Sequence, residues 1–178
     1  MYQREIKPLK SKSFFLFGPR GSGKSTLLQS WKSPEDLYVN LLDPEVAEDF
    51  RLSPNRFKAL VLESHGRSQD FVVYVDEIQK VPKLLDIVHD LIQSKGIRFV
   101  LTGSSARRLK QSGVNLLAGR ALVYNLFPFS SSELGSDFNL ATALERGLLP
   151  DSYQSASEEE ANEYLKAYTY TYLEKEIQ

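Results

Sequence analysis

Residues Gly18-Pro19-Arg20-Gly21-Ser22-Gly23-Lys24-Ser25-Thr26 follow the spacing G-x-x-x-x-G-K-[ST]. The apolar run Phe14-Phe15-Leu16-Phe17 precedes them, and Thr26-Leu27-Leu28-Gln29-Ser30-Trp31 continues as a helical start. A buried strand, a glycine-rich turn and a helix in that order restrict the chain to an α/β fold whose first loop wraps an anion. The cause is electrostatic: free backbone N–H groups at a helix N-terminus carry partial positive charge, and glycines let a phosphate chain come close to them. All of Gly18 to Thr26 are therefore candidate phosphate-binding residues. Lys24 is expected to reach the β- and γ-phosphates, and the Ser25 hydroxyl to be a ligand of Mg²⁺. Glycine-rich turns also join strands to helices where no phosphate binds, but the full set of fixed positions with both flanks favours the phosphate reading.

Further along, Leu37-Tyr38-Val39-Asn40-Leu41-Leu42 reads as a second strand that stops at Asp43-Pro44. Ser53-Pro54 opens a short amphipathic helix over Phe57, Leu60, Val61 and Ser64, closed by Gly66. Phe71-Val72-Val73-Tyr74-Val75 is continuously β-branched or aromatic, as in a strand buried on both faces of a parallel sheet. Pro82 then opens a helix with the stripe Leu84, Leu85, Val88, Leu91, Ile92, ended at Ser94-Lys95-Gly96. Ile97 to Leu101 and Ala121 to Leu126 are the fourth and fifth strands, with a short basic helix at Ala106-Arg107-Arg108-Leu109-Lys110 between them. Alternating strands and helices mean right-handed βαβ units.

Beyond Pro128 the composition changes. Ser130-Ser131-Ser132 and Gly135-Ser136-Asp137 read as loop and Asp151 to Ser157 as a polar connector, before a capping pattern at Ser157 and Glu160. Ala161, Tyr164, Leu165, Tyr168 and Tyr172 share one face of the helix that follows. The reading divides the chain into a P-loop core over 1–130 and a helical extension over 131–178, read as the start of a longer C-terminal region against the simpler reading of a terminal helix that frays.

Asp76-Glu77 ends the most apolar strand. Asp76 is placed as the Walker B aspartate that holds the Mg²⁺ hydration shell, and Glu77 as the base that orients and deprotonates the attacking water. A pair of acids can also merely cap a turn, but strand ends in open α/β sheets face ligands. Ser104, with Thr102 as runner-up, is the candidate polar contact to the γ-phosphate or the water; either can instead cap the helix at Ala106. Arg120, just before the last strand, is the candidate for a transition-state charge supplied to a neighbouring subunit, against the simpler reading of a surface arginine after a glycine turn. His65 and His89 have no metal-ligand spacing around them and read as solvated.

The 22 basic and 23 acidic residues give a formal charge of −1, so nothing global points to nucleic acid or an acidic membrane surface. The absence of cysteine excludes disulfides, thiolate zinc sites and thiol nucleophiles, and suits a reducing compartment. The N-terminus lacks the apolar core of a signal peptide, and no run approaches a membrane span. A cytoplasmic protein without membrane contact is expected.

Four segments together resemble the AAA+-like P-loop ATPases of bacteria and archaea that join an N-terminal ATPase module to a C-terminal domain of unknown function. They are GPRGSGKST at 18–26, FVVYVDEIQ at 71–79, LTGSSARRL at 101–109 and LLAGRALVYNLFPFSSSEL at 116–134, with a weaker continuation in YLKAYTYTYLEKEI at 164–177. The resemblance implies a three-layer sandwich with a five-stranded, mainly parallel sheet in the order 5-1-4-3-2, followed by C-terminal helices. It also implies ATP with Mg²⁺, a sensor residue at Ser104 and an arginine finger at Arg120.

The leading expectation is an ATPase that couples nucleotide state to an attached domain or partner, as a homo-oligomer or with another protein. One alternative is a nucleotide-gated module for protein or nucleic acid that hydrolyses little. Its basic residues Arg107, Arg108 and Lys110 lack interleaved aromatics, so nucleic acid is not indicated. A small-molecule kinase is a weaker alternative for want of an arginine-rich lid. A GTPase is disfavoured because no N-K-x-D guanine signature occurs, and a transporter ATPase because no L-S-G-G-Q-like stretch does.

Overall fold

The computed structural model describes residues 2–66, 70–106, 109 and 117–173. Arg107, Arg108, Lys110 and Leu116 lie outside the described residues, as do 174–178 and the side chain of Tyr172. The chain divides into two compact units: Pro8–Gly18 with Lys24–Asn125, and Met1–Lys7 with Pro19–Gly23 and Leu126–Gln178.

The first unit is built on one sheet of strands β1 (Ser13–Phe17), β2 (Leu37–Asn40), β3 (Val72–Asp76), β4 (Arg98–Gly103) and β5 (Ala121–Asn125). Every pairing is parallel and the order is β2-β3-β4-β1-β5, which is 5-1-4-3-2 read from the other edge. The interior strand β1, between β4 and β5, is buried at all positions, as its unbroken apolar run requires. Its alternate residues serve two faces. Phe15 and Phe17 join Val73, Val75, Phe99 and Leu101 in a core with Phe57, Val61, Leu85 and Val88. On the opposite side Phe14 meets Trp31 of α1 (Lys24–Trp31) edge-on at 6.1 Å.

Among the described residues this unit also holds helices α2 (Pro44–Leu52), α3 (Pro54–His65) and α4 (Leu84–Lys95). Helix α2 was not anticipated. Asp43-Pro44 is a helix start: the Asp43 carboxylate accepts from the Glu45 amide at 2.9 Å, and proline takes the first position, where no N–H is needed. Its Phe50 packs edge-on against Phe57 of α3 at 5.5 Å. Gly96 ends α4 in the left-handed conformation, φ 67, as the glycine stop predicts. His65 and His89 are half-buried rather than fully solvated, His65 lying against the Phe71 ring at 5.8 Å.

In the second unit the serine-rich stretch expected to be loop is helix α5 (Ser131–Leu134). Ser130 and Glu133 form a reciprocal capping box, a signal the serine run concealed. Helices α6 (Leu140–Arg146), α7 (Pro150–Tyr153) and α8 (Glu158–Tyr168) follow, with a π-helical turn over Thr169–Leu173. The segment from Asp151 thus begins inside a helical turn rather than in a connector. Ser157 caps α8 through the Glu160 amide at 3.1 Å, while the Glu160 carboxylate accepts from Ala156, one residue before the cap. A small core gathers Phe129, Leu134 and Tyr153 with Tyr2, Phe138 and Leu148.

Arg4 ties this unit together. Its Nε donates to Glu133 at 2.9 Å, and its terminal nitrogens donate to the carbonyls of Ser22 at 2.7 Å, Phe127 at 2.5 Å and Pro128 at 3.3 Å. The guanidinium also lies over the Phe129 ring, 5.0 Å from its centroid. Burial alone would raise the Glu133 pKa, but hydrogen bonds from Arg4 and from the Glu5 and Ser130 amides outweigh it and hold the carboxyl below its ordinary value. A lowered folded-state pKa stabilises the fold above the unfolded-state value and loses that contribution as pH falls through the folded-state value. Glu133→Gln is therefore expected to destabilise most near neutral pH. The gap to wild type in denaturant melts should close progressively below about pH 4; a gap that widens on acidification would contradict the assignment.

Candidate nucleotide-binding site

The parallel register sets the site. Phe17 at the end of β1 lies opposite Gly103 of β4 and Asn125 of β5, and Val75 of β3 lies opposite Leu101. Gly18, Asp76, Thr102 and Ser104 therefore fall in one row at the carboxyl ends of three adjacent strands, where open α/β sheets place their ligands. Lys24, the first residue of α1, is buried with its ammonium 2.8 Å from the Gly18 carbonyl. Ser25 is half-buried beside it and Thr26 is exposed.

Asp76 is 1% exposed, and both its oxygens accept hydroxyl hydrogen bonds, one from Tyr38 at 2.8 Å and one from Thr102. Burial first, then the hydrogen bond and charge of Asp76, push the Tyr38 hydroxyl well above its ordinary pKa, so it stays a donor at physiological pH. The Thr102 oxygen meanwhile accepts from the Glu77 amide at 2.9 Å. One hydroxyl thus fixes both acids. Glu77 itself is 7% exposed and holds φ 60, ψ 50, the left-handed region that a side chain enters at a cost. Its carboxylate accepts from the Gln79 amide. Two buried polar atoms have no partner here, Ser104 Oγ and Gln79 Oε1.

Arg120 is elsewhere. Ser13 pairs with Ala121, so Arg120 sits at the amino end of β5, about 20 Å along the strands from the Gly18 row. The structure brings Lys24, Asp76, Glu77 and Ser104 to one end of the sheet and leaves Arg120 exposed at the other. Sequence reasoning missed Tyr38, whose role follows only from β2 pairing with β3, and Gln79. It ranked Thr102 second as a ligand contact, whereas its hydroxyl is spent on the two acids.

The tip of the loop is held within the second unit. Gly21 and Gly23 take φ 71 and φ 89, and Ser22 bonds back to the Pro19 carbonyl through its hydroxyl at 2.8 Å. A Cβ on Gly21 would stand 2.6 Å from the Tyr164 hydroxyl, and Tyr168 donates to the Arg20 carbonyl at 3.2 Å. With Arg4 on the Ser22 carbonyl, two side chains outside the motif hold carbonyls of its tip.

A parallel sheet in this order, a glycine-rich loop between β1 and α1, and acids at the end of β3 define a P-loop NTPase-type α/β domain. The family model described as "AAA domain" matches residues 10–135, more than half of the chain, and the chain belongs to that family. Membership supports a nucleotide-binding, ATPase-like function. The chain is also similar to uncharacterized proteins of Mycobacterium tuberculosis and Mycobacterium bovis, each 29% identical over 168 residues. These alignments take in 91% of this chain and 35% of each relative, so the chain spans about a third of their length. Among the described residues no helix is long and apolar enough to cross a membrane.

Thr102→Val keeps the shape but leaves the Glu77 amide and one Asp76 oxygen without their hydroxyl. Each buried group so stranded costs about 1–3 kcal/mol, so the variant should unfold at clearly lower denaturant concentration. An unchanged midpoint would show that the bridge contributes nothing.

Proposed function

We propose that the chain binds ATP with Mg²⁺ and hydrolyses it, coupling nucleotide state to an attached domain or a partner. What supports this most directly is the cluster at the strand ends: a buried lysine beside Gly18, two buried acids cross-linked by Thr102, and two polar atoms without partners. An unpartnered buried hydroxyl is costly unless something binds it. Residues Gly18 to Thr26 hold the phosphates, with Lys24 on the β- and γ-oxygens. The oxygen donors fit Mg²⁺, which prefers hard ligands and keeps several waters. Ser25 supplies a direct ligand. Asp76, its oxygens already engaged by Tyr38 and Thr102, holds metal-bound water rather than the ion. When bound, the metal supplies charge neutralisation on the phosphates.

Glu77 takes a proton from the attacking water and Ser104 contacts the γ-phosphate. Arg120, remote from the Gly18 row of its own chain, serves a neighbouring copy of the chain, so a homo-oligomer is the active form. An ATPase core over 1–130 passes into an extension from 131; that the chain spans about a third of its relatives supports a further region, as in ATPases with a C-terminal domain of unknown function. The cysteine-free composition suits the cytoplasm.

Lys24→Ala should reduce ATP affinity at least about tenfold in calorimetry, because a charge-assisted contact to phosphate is lost. Glu77→Gln should retain ATP and lose turnover by about 10²-fold or more. ATP affinity unchanged in the first variant, or turnover unchanged in the second, would overturn the corresponding role. Mixing Arg120→Ala with wild-type chains tests the trans contact, since an arginine supplied by a neighbour is worth about 10³ to 10⁵ in rate. Activity per chain that stays flat with concentration, with the Arg120 variant as fast as wild type, would exclude it.

A further inference from the structure

We infer that Gln79 is a further catalytic residue of this site, forming with Glu77 a two-acceptor seat for the attacking water. The inference rests on the ATPase reading above. Gln79 lies in the 3₁₀ turn Ile78–Lys80 directly after Glu77, and its Nε2 donates to the Glu77 carboxylate. The reverse amide orientation would set Oε1 against that carboxylate, acceptor against acceptor. Oε1 therefore faces away, buried and without a partner. A buried amide oxygen left unpaired is unfavourable, which points to an absent donor.

The seat for this amide is built into β4. A Cβ at Gly103 would stand 2.8 Å from Gln79 Oε1 and 3.3 Å from the Phe17 ring. The Gly103 backbone is strand, so it is room for the amide, rather than an unusual φ, that this glycine provides. The next residue, Ser104, carries the other unpartnered oxygen. The Gln79 amide also fixes one oxygen of Glu77, leaving the second for a proton.

A water molecule has two O–H donors, and Glu77 and Gln79 Oε1 accept one each. Its lone pair is then free for in-line attack. The water oxygen forms a bond to the γ-phosphorus as the bond from that phosphorus to the bridging oxygen breaks. The electron pair of the broken bond leaves on ADP, and one water proton passes to Glu77.

The test compares wild type, Gln79→Leu and Gly103→Ala for binding of ADP with Mg²⁺ alone and with aluminium fluoride, a transition-state mimic that holds the attacking water. Both variants should bind ADP within about twofold of wild type and the fluoride complex about tenfold or more weakly, because only the latter uses the water seat. Turnover, where measured, should fall about 10²-fold with KM little changed. Thermal melts check folding, and Gln79→Leu carries the test alone if alanine at Gly103 disrupts β4. Equal fluoride-complex affinity in folded variants, or faster turnover as from a released latch, would overturn the inference while leaving the ATPase reading intact. Wild type that binds neither ATP nor ADP would remove both.

Discussion

The parallel register between β1, β3 and β4 is the constraint on which the rest of the site depends. Side chains alternate along each strand, so a slip of one residue would turn Phe15 and Phe17 out of their core and move every strand end by one position. The two requirements reinforce each other. The aromatic and aliphatic residues that must be buried on one face, Phe15, Phe17, Val73, Val75, Phe99 and Leu101, also fix where β1 gives way to Gly18, β3 to Glu77 and β4 to Ser104. Chemistry at the strand ends is thereby positioned by the hydrophobic packing of the strands that lead to it.

Glu77 shows how such a position is maintained against local preference. The left-handed conformation costs a residue with a Cβ about 1–2 kcal/mol, whereas a buried amide stripped of its partner costs about 1–3 kcal/mol. The Glu77 amide has its partner in Thr102, whose hydroxyl is oriented by Asp76, which is braced in turn by Tyr38. Releasing the strain would forfeit a bond of comparable worth, which offsets the cost of the turn. That turn aims the Glu77 carboxylate back toward Gln79 instead of continuing along the strand. Strain of this size, at an acid that a neighbouring network over-determines, is the pattern expected where geometry serves a reaction.

Most of the sheet was legible because its signals are long and redundant: a strand such as Phe71 to Val75 can be read from any three of its residues. The loop was legible from its spacing, and the acid pair from its place at the end of an apolar strand. What escaped had short or ambiguous signals. Asp43-Pro44 carries the same letters for stopping a strand and for starting a helix, and only the cap bonds to Glu45 and Val46 decide between them. The serine run at 130–132 looks like loop until Glu133 is seen to close the box. Tyr38 and Gln79 left no mark in the chain. Tyr38 acts across a strand pairing 38 residues apart, and the seat of Gln79 depends on a missing Cβ at Gly103.

The tip of the phosphate loop adds a second lesson, because its shape is not held by the motif alone. Beside the turn bonds from Ser22 to the Pro19 carbonyl, the carbonyls of Arg20 and Ser22 are taken by Tyr168 and Arg4. Arg4 can do this because its planar fork presents separate N–H groups in fixed directions. One edge meets Glu133 while the rest reaches the carbonyls of Ser22, Phe127 and Pro128. A lysine would keep the charge yet could not satisfy acceptors spread over so wide an arc, nor lie flat over Phe129. The conformation of a loop that sequence spacing defines so clearly thus depends on a residue fourteen positions before the first glycine, through hydrogen-bond geometry that no motif records.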